Sequence, residues 1–412
     1  MSDLPAWGSG APGGATAANP GPPGGAGTGG AGADRPPAAR VALAHDYLLV
    51  MRGAERVFAA IADMFGEAPI LTLLYDEQAL GWRFRGRSVT TSPLQRLGAD
   101  QRNFRRMLPL YPAAASRLPV PPCEALISSS SAFAHGARAP AGAVHVCYCH
   151  SPFRYVWHEH ARALAETPAV LRGPMRGVLA MIRRWDLAAS ERVDRYVANS
   201  LLTRERIRSF YGREAAVVHP PVETTRFAPG TPGDELLLVS EIVAHKRVGV
   251  ALEAARRARA PIAVAGSGPD HEALAGAYPE ARFLGRVDDE ELARLYAGAR
   301  AVLVPAMEEF GITAVEAQAA GRPVIAARAG GALETVVEGR TGLLAGLDDV
   351  EDFRRAIERL DRLPFDPQEA VANAERFSVG AFRRALRAEL DKALEQGPRT
   401  HRPQRGRGKG GG

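Results

Sequence analysis

The stretch EEFGITAVEAQAAGRPVIA, from Glu308 to Ala326, sets two carboxylates, Glu308 and Glu316, eight residues apart around a Phe-Gly step. Two acids at that spacing can ligate a metal ion, act as an acid/base pair, or clamp a ligand at the start of a helix. They can also cap the helix and face solvent. The metal reading is the weaker one, because no His, Asp or third carboxylate lies nearby at usable spacing. Gly311 allows close approach of the backbone. The amino end of a following helix attracts phosphate, and a glutamate there can accept hydrogen bonds from ribose or sugar hydroxyls. Other polar residues stand just after apolar runs: His45-Asp46, His150, Lys246, Gly266 and Gly268, and Gly330-Gly331. His158-Glu159-His160 invites a metal reading, but such close neighbours diverge on a helix, so it reads as a solvated cluster. Cys147-Tyr148-Cys149 lacks the second pair of a zinc site and reads as a buried strand.

The elements that must position these groups alternate regularly. RVALAHDY reads as a strand, and RGAERVFAAIADMF spaces Val57, Phe58, Ile61, Met64 and Phe65 as one helical face. APILTLLYD, EALISSSS, AVHVCYCH, DRYVANS and AAVVHPPVE continue as short strands. The Pro/Gly segment APGTPGDE then interrupts, and the rhythm restarts. LLLVSEI, PIAVAGSGP, ARFLGRV, AVLVPA and RPVIAARAG read as strands. KRVGVALEAARRA, HEALAGAY and DDEELARLYAGA read as helices, the last with acids in its first turn where the helix dipole favours them. Strands alternating with helices predict parallel sheets. The expected fold class is therefore α/β: two facing Rossmann-like domains with a cleft between them. The polar residues above fall at the carboxyl ends of strands, where open α/β sheets bind ligands. The boundaries predicted are 40–227 for the first domain and 228–395 for the second. The last helix, FSVGAFRRALRAELDKAL, either closes the second domain or packs back across to the first. Residues 1–39 hold 11 of the 43 glycines and seven prolines, and residues 396–412 form a basic tail. Both are expected to be disordered, since they cannot bury enough to offset ordering entropy.

Composition excludes several classes. The chain has 412 residues and a formal charge of +6, much of it in the tail through Arg399, Arg402, Arg405, Arg407 and Lys409. The nearly neutral body argues against nucleic acid as a partner. Three cysteines argue for a reducing compartment. No apolar run reaches the roughly 20 residues of a spanning helix, and no secretory signal is read at the start. A cytoplasmic location is expected, with peripheral contact at the inner face of the membrane through the arginines mixed with apolar residues in QRNFRRMLPLYP and GPMRGVLAMIRRW.

The segment EEFGITAVEAQAAGRPVIAARAGGALETV resembles the signature of retaining glycosyltransferases of family 4, which have the GT-B fold: E-x7-E, a small-residue helix, G-x-P-V-I-A and G-G-x-x-E. Glu308, Glu316, Gly321, Pro323, Gly330, Gly331 and Glu334 fit it. HDYLLVMRGAERV, YCHSPFRYVW, the block from RWDLAASERVDRYVANS to HPPVETTRF, HKRV and GSGP are similar to further family blocks, so the likeness spans roughly residues 40–380. It is nearest to the mannosyltransferase-like branch of bacterial surface-polysaccharide assembly. The resemblance implies a donor site on the second domain and an acceptor side on the first. Glu316 would hold the ribose and Glu308 the donor-sugar hydroxyls. Lys246, with Arg247, would neutralise the diphosphate, and the backbone at Phe310, Gly311 and Ile312 would position the donor. Gly266 and Gly268 would line the same site, Gly53 would lie near the phosphates and His150 near the anomeric carbon. It further implies hexose transfer, with GDP-mannose the first donor to name, to a glycan or lipid-linked saccharide. No metal or other cofactor would be required.

The sequence departs from the family pattern twice. Glu241 stands where an Arg usually precedes the lysine, and a carboxylate facing a diphosphate is repulsive by several kcal/mol if unscreened. Gly53-Ala54 replaces the usual Gly-Gly. Two rival functions remain: a non-catalytic nucleotide-sugar-binding partner, and a dinucleotide-dependent oxidoreductase. The second is disfavoured, because no G-x-G-x-x-G follows the first strand.

Overall fold

The computed structural model describes residues 40–399, except 99 and 102. The expectations for residues 1–39 and for the tail beyond Arg399 lie outside these. Thirteen strands of the described residues form two sheets, and every pairing between these strands is parallel. The first sheet contains β1 (Val41–Leu48), β2 (Ile70–Tyr75), β3 (Val89–Thr91), β4 (Ala125–Ser130), β5 (Val144–Cys149), β6 (Arg195–Ala198) and β7 (Ala215–Val217), in the order β3-β2-β1-β4-β5-β6-β7. The second contains β8 (Leu236–Val239), β9 (Ile262–Ala265), β10 (Arg282–Gly285), β11 (Ala301–Val304), β12 (Val324–Ala327) and β13 (Gly342–Ala345), in the order β10-β9-β8-β11-β12-β13.

Central strands such as β4, β5, β9, β11 and β12 are buried along their whole length. That is why they read as continuous apolar runs rather than as alternating ones. Strand order reverses between β1 and β4 in the first sheet and between β8 and β11 in the second. Those two points leave crevices at the carboxyl ends of the strands. His45 ends up beside Ser129 across β1 and β4, and the lysine loop after β8 lies beside the acidic loop after β11.

The last helix, Val379–Gln396, lies on the first domain. Phe382, Leu386, Leu390 and Ala393 are buried in the same core as Val57, Phe58, Ile61 and Val146, and Glu389 pairs with Arg195 on β6. The chain crosses back at Phe377–Ser378, where the Val222 N–H donates to the Phe377 carbonyl. The assignment of 228–395 to the second domain, with its closing helix, is thus corrected at its end: the helix completes the first core. Its amphipathic pattern specified an apolar face without specifying the sheet that would cover it. Leu386 is fully buried there. We expect Leu386→Ala to destabilise the chain by about 2–5 kcal/mol, measured as a shift of the urea midpoint. β3, β13 and the helices Val350–Arg359 and Pro367–Glu375 were not anticipated from the sequence.

Candidate active site

Lys246 ends the short turn Ala244–Lys246 after β8, and its Nζ donates to Glu308 Oε1 at 2.6 Å. Both side chains remain about a quarter exposed, at 24% and 25%. The pair is therefore held but open to exchange with a ligand. The loop carrying Glu308 is braced from behind by the Gly331 N–H, which donates to the Glu308 carbonyl at 2.9 Å. Phe310 is buried between the rings of His219 and Phe377, at 5.5 and 5.3 Å. Gly311 takes a left-handed φ of 84° and caps the helix Ile312–Ala319, turning that helix's free amides toward the loop.

Glu316 sits in the second turn of this helix. Its Oε2 accepts from the buried Tyr296 hydroxyl at 2.8 Å. Burial pushes its carboxyl up, against the opposing pull of the Tyr296 bond, Arg226 and Arg56. Arg56 belongs to the helix Gly53–Met64 of the first domain, so Glu316 faces across the cleft.

The same holds for its neighbours. His245 is held low by burial, then by Lys246 and by Arg162 of the first domain. Burial pushes Glu309 up, yet Arg154 and Arg206 outweigh it and keep the carboxyl below its ordinary value. Arg206 donates to Glu309 Oε1 at 3.2 Å and lies 3.5 Å from Ser151 Oγ, one residue beyond His150. Both Glu334 oxygens accept from the Leu201 N–H, at 2.8 and 2.9 Å, and Oε2 also lies 2.9 Å from His219 Nε2. A carboxylate of the second domain thus caps the amino end of the helix Leu201–Tyr211, where the helix dipole favours it.

The remaining predicted residues fall around this line. His150 follows β5 with its Nε2 2.8 Å from Ser129 Oγ; burial and His45 push it down to about 3. Gly53 opens the helix Gly53–Met64, exposed and with open space where a Cβ would stand. At Gly266 and Gly268 a Cβ would meet the carbonyls of Ser240 and Ile242 at 1.8 and 2.1 Å. Those glycines let the ends of β8 and β9 touch. Arg247 turns aside: its φ is 55° and its Nε pairs with Asp348 at 2.8 Å. Glu241 is exposed and has no ion pair among the described residues. Asp46 holds the turn after β4, accepting from the N–H groups of Ser131, Ala132, Phe133 and Ala134. Two surface hollows, one beside Arg256 and Tyr278 and one beside Asp194 and Arg399, lie apart from this cleft. Among the described residues no group of three or more His, Cys, Asp or Glu could hold a metal ion.

Tyr296, Arg56, Arg206 and Ser129 were not legible as site residues. In the sequence Tyr296 is one residue of the helix DDEELARLYAGA, and Arg206 is one arginine among many. Glu334 carried a signal, as the glutamate of G-G-x-x-E, but its partner is 133 residues away.

Two doubly wound parallel sheets, with a lysine and glutamates at the switch-point loops of the second, are the arrangement of the GT-B fold. Residues 52–226 match the family model described as Glycosyltransferase Family 4, and residues 233–362 match the one described as Glycosyl transferases group 1. The first match falls on the first sheet and the second on the second sheet. It is 32% identical over 243 residues to D-inositol 3-phosphate glycosyltransferase 2 of Catenulispora acidiphila, covering 49% of this chain and 57% of that protein. It is 33% identical over 258 residues to the D-inositol 3-phosphate glycosyltransferase of a Nocardioides species, covering 50% and 56%. The chain thus matches little more than half the length of these relatives. Among solved structures, HepE of Anabaena in complex with UDP superposes with a TM-score of 0.65 at 18% identity, over 86% of this chain and 100% of that one. Sucrose-phosphate synthase of Thermosynechococcus elongatus gives 0.64 at 18% identity, over 87% and 100%. At these identities the likeness is one of fold.

Proposed function

We propose that this chain is a retaining glycosyltransferase that moves a hexose from a nucleoside-diphosphate donor to a glycan or lipid-linked saccharide. The observation that carries this reading is the Lys246–Glu308 pair at 2.6 Å, set beside a helix amino end in a cleft that Glu316 faces from the same domain. In the reaction the bond from the anomeric carbon to the diphosphate oxygen breaks. The acceptor oxygen bonds to that carbon on the same face, and the acceptor's proton passes to the departing phosphate. Negative charge develops on the diphosphate, and Lys246 with the amides near Gly311 and Ile312 is placed to stabilise it. Glu308, released from Lys246 by the phosphate, turns to the sugar hydroxyls, and Glu316 takes the ribose. An ammonium does here what a metal ion does elsewhere.

The donor we name first is GDP-mannose. HepE was solved with UDP, and the relatives' names carry D-inositol 3-phosphate. A uridine donor and a phosphorylated cyclitol therefore belong in the same screen. We also propose peripheral membrane contact at a cytoplasmic face. It is supported by exposed Val170, Leu171 and Met181 among the arginines of the helix Arg172–Ser190 and its approach. No helix of the described residues is long and apolar enough to cross a membrane.

Thermal shift against GDP, UDP, ADP and their sugars tests the donor. A ligand at 100 times its Kd adds about 2.7 kcal/mol of stability. The matching sugar nucleotide is then followed by NMR with each acceptor class, and the product should keep the donor's anomeric configuration. No stabilisation by any nucleotide would sink the reading. Binding without hydrolysis or transfer would leave a nucleotide-sugar-binding partner instead.

A further inference from the structure

The carboxyl ends of three adjacent strands bring two histidines and one serine together in the first domain. His45 Nδ1 lies 3.0 Å from the Ser129 carbonyl oxygen and 3.1 Å from Ser129 Oγ. His150 Nε2 lies 2.8 Å from that same Oγ. A carbonyl oxygen only accepts, so the proton of His45 is on Nδ1. Nδ1 then has no lone pair to offer the serine. Ser129 is fully buried, and among the described residues the one acceptor left within bonding reach of its hydroxyl is His150 Nε2. If Nε2 instead carried a proton, the serine hydrogen would be buried without a partner, which folded proteins rarely tolerate.

We infer that His45 and Ser129 fix His150 as the neutral tautomer protonated on Nδ1, so that it meets a ligand in the cleft as a hydrogen-bond donor and not as a base. The surroundings hold this arrangement. His45 stacks on Phe58 at 4.6 Å, and its Nε2 lies 4.0 Å from Glu55 Oε1. Tyr148 meets the His150 ring edge-on at 5.3 Å. The His150 main chain is tied to the Ser130 carbonyl and to Thr203 Oγ1. Burial beside His45 keeps His150 neutral through the working pH range. Nδ1 has no partner among the described residues and is not one of the buried, unbonded atoms, which leaves it open to a ligand. Its N–H suits the hydroxyl and phosphate oxygens of a sugar nucleotide. The acceptor's proton then has to leave by the phosphate. Ser129 and His45 are positioning residues, and this role rests on the function proposed above.

The test is a long-range proton–nitrogen spectrum of the full chain labelled with 15N-histidine, with His150 assigned by its loss in His150→Gln. Wild type should show the neutral Nδ1-protonated pattern from pH 6 to 8. Ser129→Ala should shift it toward Nε2 protonation, and Ser129→Thr, which keeps the hydroxyl, should restore it. A wild-type His150 protonated on Nε2 or on both nitrogens overturns the inference, as does an unchanged tautomer in Ser129→Ala. In transfer assays Ser129→Ala should lower kcat by roughly tenfold to a hundredfold with the donor KM little changed. An unchanged kcat overturns the positioning role. The spectra need no substrate: a chain that transfers no sugar yet shows the predicted tautomer supports this inference while the proposed function falls.

Discussion

Lys246→Ala is expected to reduce kcat/KM for the sugar nucleotide by about 10²–10³-fold, because removing one preorganised donor aimed at developing charge typically costs that much. The effect should fall mainly on kcat, since the diphosphate carries its greatest charge as the bond to the sugar breaks. The fold should survive. The side chains of the Lys246–Glu308 pair are each about a quarter exposed, so its loss should change stability by less than about 1 kcal/mol. Steady-state kinetics beside a urea titration separate the two effects. Lys246→Arg should rescue poorly, because a planar fork does not replace a compact ammonium at the same distance. Full transfer by Lys246→Ala would remove the phosphate role. Glu241 and Arg247 give a related expectation. Arg247 is committed to Asp348, and the exposed Glu241 adds negative charge near the lysine loop, since it pulls His245 upward. The transfer rate of this chain should therefore depend steeply on Lys246.

Glu316→Ala is expected to weaken donor binding by about tenfold to a hundredfold, the worth of roughly 1.5–3 kcal/mol for a hydrogen bond to a charged group. Tyr296→Phe tests the same contact from the other side: it removes the hydroxyl that orients Glu316 and should raise the donor Kd in the same direction. Isothermal titration with the unhydrolysed nucleotide measures both. The pH dependence has a definite sign. Burial raises the Glu316 carboxyl, so in wild type donor affinity should fall as pH drops through that raised value, and the Glu316→Gln variant should lose this dependence. In stability the sign is opposite. The folded state holds the Glu316 proton more tightly than the unfolded chain. This group therefore stabilises the fold more at low pH and loses that contribution as pH rises from the unfolded value through the folded one. Donor affinity that stays flat with pH, or is unchanged in Glu316→Ala, would remove Glu316 from the ribose site.

How the two domains approach each other also has chemical content. Arg206–Glu309 and Glu334–Leu201 join them on either side of the donor loops. The helix Leu201–Tyr211 carries one partner of each pair.

Much of this was written locally in the chain. The strand and helix rhythm, the break at APGTPGDE and the loop-to-helix turn from Glu308 to Glu316 each depend on residues a few positions apart. Periodicity and glycine placement report such distances directly. The tertiary structure alone decided the rest. It chose the first sheet for the helix Val379–Gln396, whose apolar face would have fitted either domain. It joined Lys246 to Glu308 across 62 residues, and it set Ser129 between His45 and His150. Arg206 and Arg56, ordinary arginines in the sequence, became the charges facing Glu309 and Glu316. The physical reason is the same in each case. A side chain's pattern along the chain records that it will be buried or paired, whereas the identity of its partner depends on which strands the parallel sheets bring side by side and on how the two sheets face.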